Sequence, residues 1–312
     1  MDTPGLIRTL SRLLDGAVDP APTPAIIAAA EAHRLAGVLH HRERRGGRPA
    51  SPRLAAAWGA QLAGHLARLE WLQAHWPADL PTPMLFKGAD LADHLYPDAG
   101  CRGARDVDVL VPGAAWPAAR EALAVHADHI TLPSSERWPW QPAEAVGFVA
   151  NGLLIELHRT PGPPGRWPLD GDALYARSVP AATGWGRVPA PADRCLLWLV
   201  DAAKAGFHGD LGMWWDLALL RARWPDLHPT ASPNLAVAWR MALAGLNALG
   251  WQRGTPQPTG RAPRPLSLPP HDHAGLAYQI DKLRVLPAGA ALRYLLQAGS
   301  AHVLRRVWPS TP

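Results

Sequence analysis

The segment RDVDVLVP, residues 105–112, constrains this chain more than any other. Val107, Val109 and Val111 alternate with Asp106, Asp108 and Leu110, the period of two that marks a β-strand. Both aspartates then stand on one face, with Cβ atoms roughly 6–7 Å apart. Asp is a poor strand former, and like charges on one face repel. Leu110 continues the carboxylate face, so that face is not simply solvated. A divalent cation resolves the conflict, and Mg²⁺ prefers carboxylate oxygens together with phosphate oxygens. The competing reading is an edge strand with a polar face.

A third acidic residue stands out inside an apolar run. The segment EAVGFVANGLLIELHR, 144–159, reads as a β-hairpin with Asn151-Gly152 as its turn. On its second strand Glu156 shares a face with Leu154 and His158. If that strand lies beside 106–111, Glu156 completes a three-carboxylate cluster, because neighbouring strands run under about 5 Å apart. Alone, it reads equally well as a salt-bridging surface residue.

The run PMLFKG, 83–88, reads as a short strand entering a turn, and ADLADHLY, 89–96, as the helix that follows. Gly88 would let a phosphate approach backbone N–H groups at a helix start, with Lys87 adding a point charge, and the competing reading is a plain turn. The glycine pattern of a Walker loop is absent.

The flanks read as helical. In 1–78, Thr23 and Pro24 start a helix expected to run to about Val38, HHRERRGGRP (40–49) reads as a basic loop, and Ser51-Pro52 opens a long amphipathic helix through Trp76. A helix is expected from about Ala114 to Val125, and 161–190 reads as loop-rich. In 186–312, helices are expected over 191–208, 209–224, 232–250 and roughly 273–306, with a Pro/Gly/Arg-rich linker at 252–271. Asp201, Lys204 and His208 share one helix face, which reads either as the lining of a cleft or as a surface Asp–Lys bridge. The divisions expected are therefore 1–78, 79–185 and 186–312.

Charge follows those divisions. The net charge is +5, distributed as +3, −5 and +7 over the three segments. An acidic centre between basic flanks suits a metal site that attracts a polyanion, although scattered surface charge gives the same sums. Two cysteines cannot build a disulfide framework or a four-cysteine metal site. There is neither a membrane-length apolar run nor a leader pattern, so the expectation is a cytoplasmic protein.

These residues together resemble a known family. MLFKGADLADHLYPDAGCRGARDVDVLVP, 84–112, followed by GLLIELHR, 152–159, is similar to the uncharacterised nucleotidyltransferase-like family of the DNA polymerase β superfamily. The matching positions are Lys87 and Gly88, Tyr96-Pro97-Asp98, Arg102, Asp106 and Asp108, and Glu156 with His158. More loosely, the likeness extends to His208, Trp215 and Asp216.

The resemblance implies an α+β fold: a small mixed sheet of polymerase β type, flanked by N-terminal and C-terminal helical regions. It implies two Mg²⁺ ions held by Asp106, Asp108 and Glu156, and a nucleoside triphosphate as co-substrate. It implies transfer of the nucleotide to an acceptor hydroxyl of unknown identity, with pyrophosphate leaving. Lys87, Gly88, Arg102 and Arg105 are then expected around the phosphates, with Lys204 and His208 lining the cleft. Two departures stand against the superfamily pattern. Gly88 is followed by Ala89 rather than Ser, and the spacing from Gly88 to Asp106 is longer. A catalytically degenerate relative that binds a nucleotide or a protein is one alternative. A nucleic-acid-binding protein using its basic flanks is another.

Overall fold

A computed structural model describes residues 3–14, 21–131, 145–162, 167, 169–205, 207, 209–229 and 233–251. Helices α1 (Thr3–Leu14), α2 (Pro24–Ala32), α3 (Ala36–Arg45) and α4 (Pro52–His75) lead into the sheet. Strand β1 (Met84–Phe86), helix α5 (Gly88–Leu95), a 3₁₀ turn (Ala99–Cys101) and strand β2 (Asp106–Leu110) come next. Helix α6 (Trp116–Ala124) precedes β3 (His129–Thr131), β4 (Ala145–Ala150) and β5 (Leu153–His158). Helix α7 (Gly171–Arg177) and the short strands β6 (Val179–Pro180) and β7 (Arg187–Val188) follow, then α8 (Pro191–Lys204), α9 (Leu211–Arg223) and α10 (Pro233–Ala248).

Among the described residues the strands form one mixed seven-stranded sheet in the order β3-β4-β5-β2-β1-β7-β6. This is the expected α+β architecture. β2 runs antiparallel to β1 and parallel to β5, and β4–β5 is the expected hairpin. Its turn residues Asn151 and Gly152 have φ of 50° and 74°, the left-handed pair that a two-residue hairpin of this twist requires.

The pleat of β2 decides the layers. Val107 and Val109 face one side with Ile155 and Leu157, in a core closed by Trp71 and Leu72 of α4 and Leu123 of α6. The opposite side carries Met84, Phe86 and Leu110, covered by Leu174 of α7 and Leu197 of α8. The aspartates belong to this second side, at the entry end of β2. A third and larger core joins the N-terminal helices to the C-terminal ones through Leu39, Leu54, Trp198, Trp214 and Trp239.

The structure corrects two sequence readings in the N-terminal region. The helix starting at Thr23 does not reach Val38. It ends at Ala32, where Leu35 N–H returns to Ala30 O at 2.7 Å and Arg34 N–H to Glu31 O at 3.1 Å. That is a Schellman closure with Arg34 at the left-handed position, φ 59°. Glycine usually marks this position, so an arginine gave no signal. The basic stretch 40–49 is not a loop throughout, since His40–Arg45 completes α3. Burial of Val38 and Leu39 against the large core outweighs the local charge.

Elsewhere the differences are smaller. The Thr23 cap forms, its hydroxyl accepting from Ile26 N–H at 3.3 Å. Ser51 makes no side-chain cap bond. The stretch 161–190 contains α7 and a two-residue strand pair, too short to announce themselves in sequence. The expected linker 252–271 and helix 273–306 lie outside the described residues. No helix among the described residues is long and apolar enough to cross a membrane.

Candidate active site

Parallel pairing of β2 with β5 aligns Asp106 with Leu154, Asp108 with Glu156 and Leu110 with His158. Side chains at aligned positions of parallel strands share a face, so Asp106, Asp108, Glu156 and His158 converge. Phe86 of β1 aligns with Asp108 from the other side, and the chain then turns at Lys87. Lys87 has φ 49° and ψ −117°, a conformation that suits glycine and is strained for any other residue. The strain is compensated by ion pairing. Lys87 Nζ donates to Asp108 Oδ1 at 2.7 Å and lies 3.7 Å from Asp201 Oδ1 of α8.

Asp108 is the hub. Its Oδ1 also lies 2.8 Å from His158 Nε2, which is 3.4 Å from Glu156 Oε2. The imidazole edge meets the Phe86 ring at a centroid distance of 5.0 Å. Burial works against charge on Asp108, but Lys87 and the His158 hydrogen bond outweigh it and hold the carboxyl well below the usual range. Burial also opposes charge on Lys87, and the facing Asp108 and Asp201 more than offset that, so its pKa rises. For His158, burial and Lys87 disfavour the proton, whereas the hydrogen bonds to Asp108 and Glu156 favour it and prevail. The His158 hydrogen bond lowers Glu156. Asp106 is the exception. Burial, then the like charges of Asp108 and Glu156, push it up to about 6.

That imbalance is the test of whether a cation fits. Three carboxylates face one another on adjoining strands, and the protein's own cations satisfy Asp108 while leaving Asp106 strained. Asp108, Glu156 and His158 also offer ligand atoms within 4.8 Å of one another. An oxygen-rich set suits Mg²⁺ or Mn²⁺. Asp108, Glu156 and His158 therefore present a donor set that fits a divalent cation, with Asp106 two residues before Asp108 on the same face of β2.

The remaining expected site residues divide. Gly88 starts α5, and a Cβ there would come within 3.0 Å of an Arg102 guanidinium nitrogen. Arg102 itself forks onto Asp216 of α9, with Nε to Oδ1 at 2.9 Å and a terminal nitrogen to Oδ2 at 2.8 Å. Tyr96 O–H donates to the same carboxylate at 2.6 Å. Asp216, whose role the sequence left open, is thus the anchor of the Tyr96–Arg102 loop. Arg105 is exposed just before β2, and Lys204 is exposed on the last turn of α8. His208 lies outside the described residues.

Sequence reasoning missed one cation. Arg68 of α4 has a buried Nε with no hydrogen-bond partner, and its terminal nitrogens lie 3.5 Å from where a Gly64 Cβ would stand. Burial lowers its pKa and the charge of Asp106 opposes that shift. One residue in the amphipathic helix pattern carries no mark of this, and only the docking of α4 beneath β2 places it. A related ion pair, Arg34 to Asp210 at 2.5 Å, ties the α2–α3 junction to the N-cap of α9.

The sequence model of a family described as "Uncharacterised nucleotidyltransferase" matches residues 19–254. No curated protein matches the chain.

Proposed function

Since the chain belongs to the uncharacterised nucleotidyltransferase family, we propose that it moves a nucleoside monophosphate from a nucleoside triphosphate to an acceptor hydroxyl, using Mg²⁺ held by Asp106, Asp108 and Glu156. The observation that carries this reading is the register Asp108↔Glu156, which gathers three carboxylates on one face at a strained lysine turn. Bound Mg²⁺ would offset the triphosphate charge and make the acceptor hydroxyl more acidic.

The protein's own groups have distinct parts in this proposal. The acceptor oxygen bonds to the α-phosphorus while the bond to the bridging oxygen breaks, and pyrophosphate leaves. Glu156, whose Oε2 faces His158, is placed to receive the acceptor proton directly or through water. Lys87, whose charge is secured by Asp108 and Asp201, sits at the start of α5, where backbone N–H groups and a helix dipole favour phosphate. Arg68, Lys87 and Arg102 supply positive charge near Asp106, and Arg105 is exposed beside it in the chain. Arg102 is already neutralised by Asp216 and so positions Gly88 rather than meeting phosphate. That departs from the role expected for it from the sequence.

One observation favours a second reading. Lys87 already occupies Asp108 at 2.7 Å, as a permanent counter-ion would in a degenerate relative. Calorimetric titration of each nucleoside triphosphate, with and without Mg²⁺, separates the two. Transfer predicts metal-dependent binding of a triphosphate by the wild type that disappears in Asp106→Asn/Asp108→Asn, accompanied by pyrophosphate release once an acceptor is supplied. Binding that is indifferent to Mg²⁺ and to both substitutions would sink the transfer reading.

A further inference from the structure

Away from the carboxylates, a cavity of about 440 Å³ opens between α3, the end of α5 and α9. That volume falls in the range of small-molecule sites. Its apolar lining includes Val38, Leu95, Tyr96, Trp215 and Leu219. Its polar lining is dominated by arginine: Arg42, Arg45 and Arg48. These come from the basic stretch that nothing in nucleotidyl transfer explains. Arg42 and Arg45 stand three apart on α3 and share a face. Gly47, at φ 70°, turns the chain so that Arg48 N–H returns to Glu43 O at 3.1 Å. This brings the third guanidinium back to the same cavity.

Among the described residues, Glu43 lies 3.7 Å from Arg42 and 3.6 Å from Arg48, and Asp98 lies 4.0 Å from His41. Arg45 has no hydrogen bond or ion pair among the described residues and is exposed. An aromatic and aliphatic chamber thus carries three guanidinium groups along one side. We propose that this cavity is a second ligand site, for a small oxyanion with an aromatic body: a ring system between Tyr96 and Trp215, with its phosphate or carboxylate on the arginines. Guanidinium groups recognise such heads in a fork geometry, and aromatic walls favour a flat body.

A cation is the other chemistry at this wall, because His41, Asp98 and Cys101 offer ligand atoms within 4.8 Å of one another. Burial pushes the Cys101 thiol up to about 12, and three guanidinium groups line the same cavity. Both disfavour a dication there.

The test uses the full chain and 1-naphthyl phosphate as probe, with 1-naphthol and inorganic phosphate as the halves of the ligand. Calorimetry should give saturable one-to-one binding of 1-naphthyl phosphate, with each half at least about tenfold weaker. Asp106→Asn/Asp108→Asn should leave that binding unchanged, which separates this site from the carboxylates. Arg45→Glu/Arg48→Glu reverses charge at the cavity, and Leu219→Trp fills the chamber. Each should weaken binding at least about tenfold while thermal melting shows a folded protein. Equal binding of 1-naphthol would overturn the anion. Binding indifferent to both the charge reversal and the filled chamber would overturn the site, as would no saturable binding. Tight zinc binding that excludes the probe and is lost in Cys101→Ser would replace it with the metal.

Discussion

Lys87 Nζ lies 2.7 Å from Asp108 Oδ1, and the backbone that delivers it there has φ 49°. A strained turn and a largely buried ion pair thus hold each other in place. Backbone strain of this kind costs of order 1–3 kcal/mol and concentrates at functional sites. Here it carries an ammonium to the hub of a carboxylate cluster.

Lys87→Met removes that cation and leaves Asp108 buried without it. We expect a loss of about 3 kcal/mol in metal-free urea unfolding, because breaking one side of a buried pair exposes the other's desolvation cost. Mg²⁺ should restore part of that stability, since it would enter the vacated position. Mg²⁺ without effect on the variant's unfolding midpoint would argue that the carboxylates do not accept a metal.

Asp106 supplies a pH test whose sign follows from its shift. Its folded pKa, about 6, stands above the ordinary 3.8. Between those values the folded state holds a proton that the unfolded state has released, so this group's contribution to stability falls as pH rises. Above pH 6 the cost is present in full. Asp106→Asn removes it, and the shifts of Asp108 and His158 largely cancel in the comparison. The melting temperature of Asp106→Asn minus that of wild type should therefore grow from pH 4 to about pH 6.5 and then level off. Saturating Mg²⁺ should close the gap by stabilising wild type alone. Activity in this variant should drop by more than about 100-fold.

Arg68 offers a site residue that can be removed at little structural cost. Its Nε has no partner to lose, so Arg68→Ala should change stability by less than about 0.5 kcal/mol. In a transferase assay it should raise the triphosphate KM about tenfold, near 1.4 kcal/mol. An unchanged KM would remove Arg68 from the phosphate site.

Asp216 separates positioning from phosphate contact. Asp216→Asn leaves the Arg102 charge buried without its fork, and unfolding stability should fall by about 3 kcal/mol. Below the lowered melting temperature, kcat should fall far less than in Asp106→Asn, because Arg102 acts through Gly88. A kcat loss matching that of Asp106→Asn would return Arg102 to the reacting phosphates.

Much of the local structure is written in short stretches of the chain. Alternation placed β2 and its two aspartates, Asn151-Gly152 placed the hairpin, and the Thr23-Pro24 and Ser51-Pro52 signals placed the starts of α2 and α4. These depend on interactions within a few residues, so they are written in contiguous sequence. The sequence also marked Glu156, as a charge that an apolar strand does not explain. Long-range contacts set the pairing of β5 with β2, the fork of Arg102 on Asp216 and the approach of Arg68 to Asp106, and a left-handed Arg34 closed α2 after Ala32. Each joins residues far apart in the chain, or rests on a backbone conformation its residue type does not announce. Charge was legible as composition. Which charges neutralise one another was not, because that depends on distances and burial that exist only once the sheet and the helical flanks have closed on the same residues.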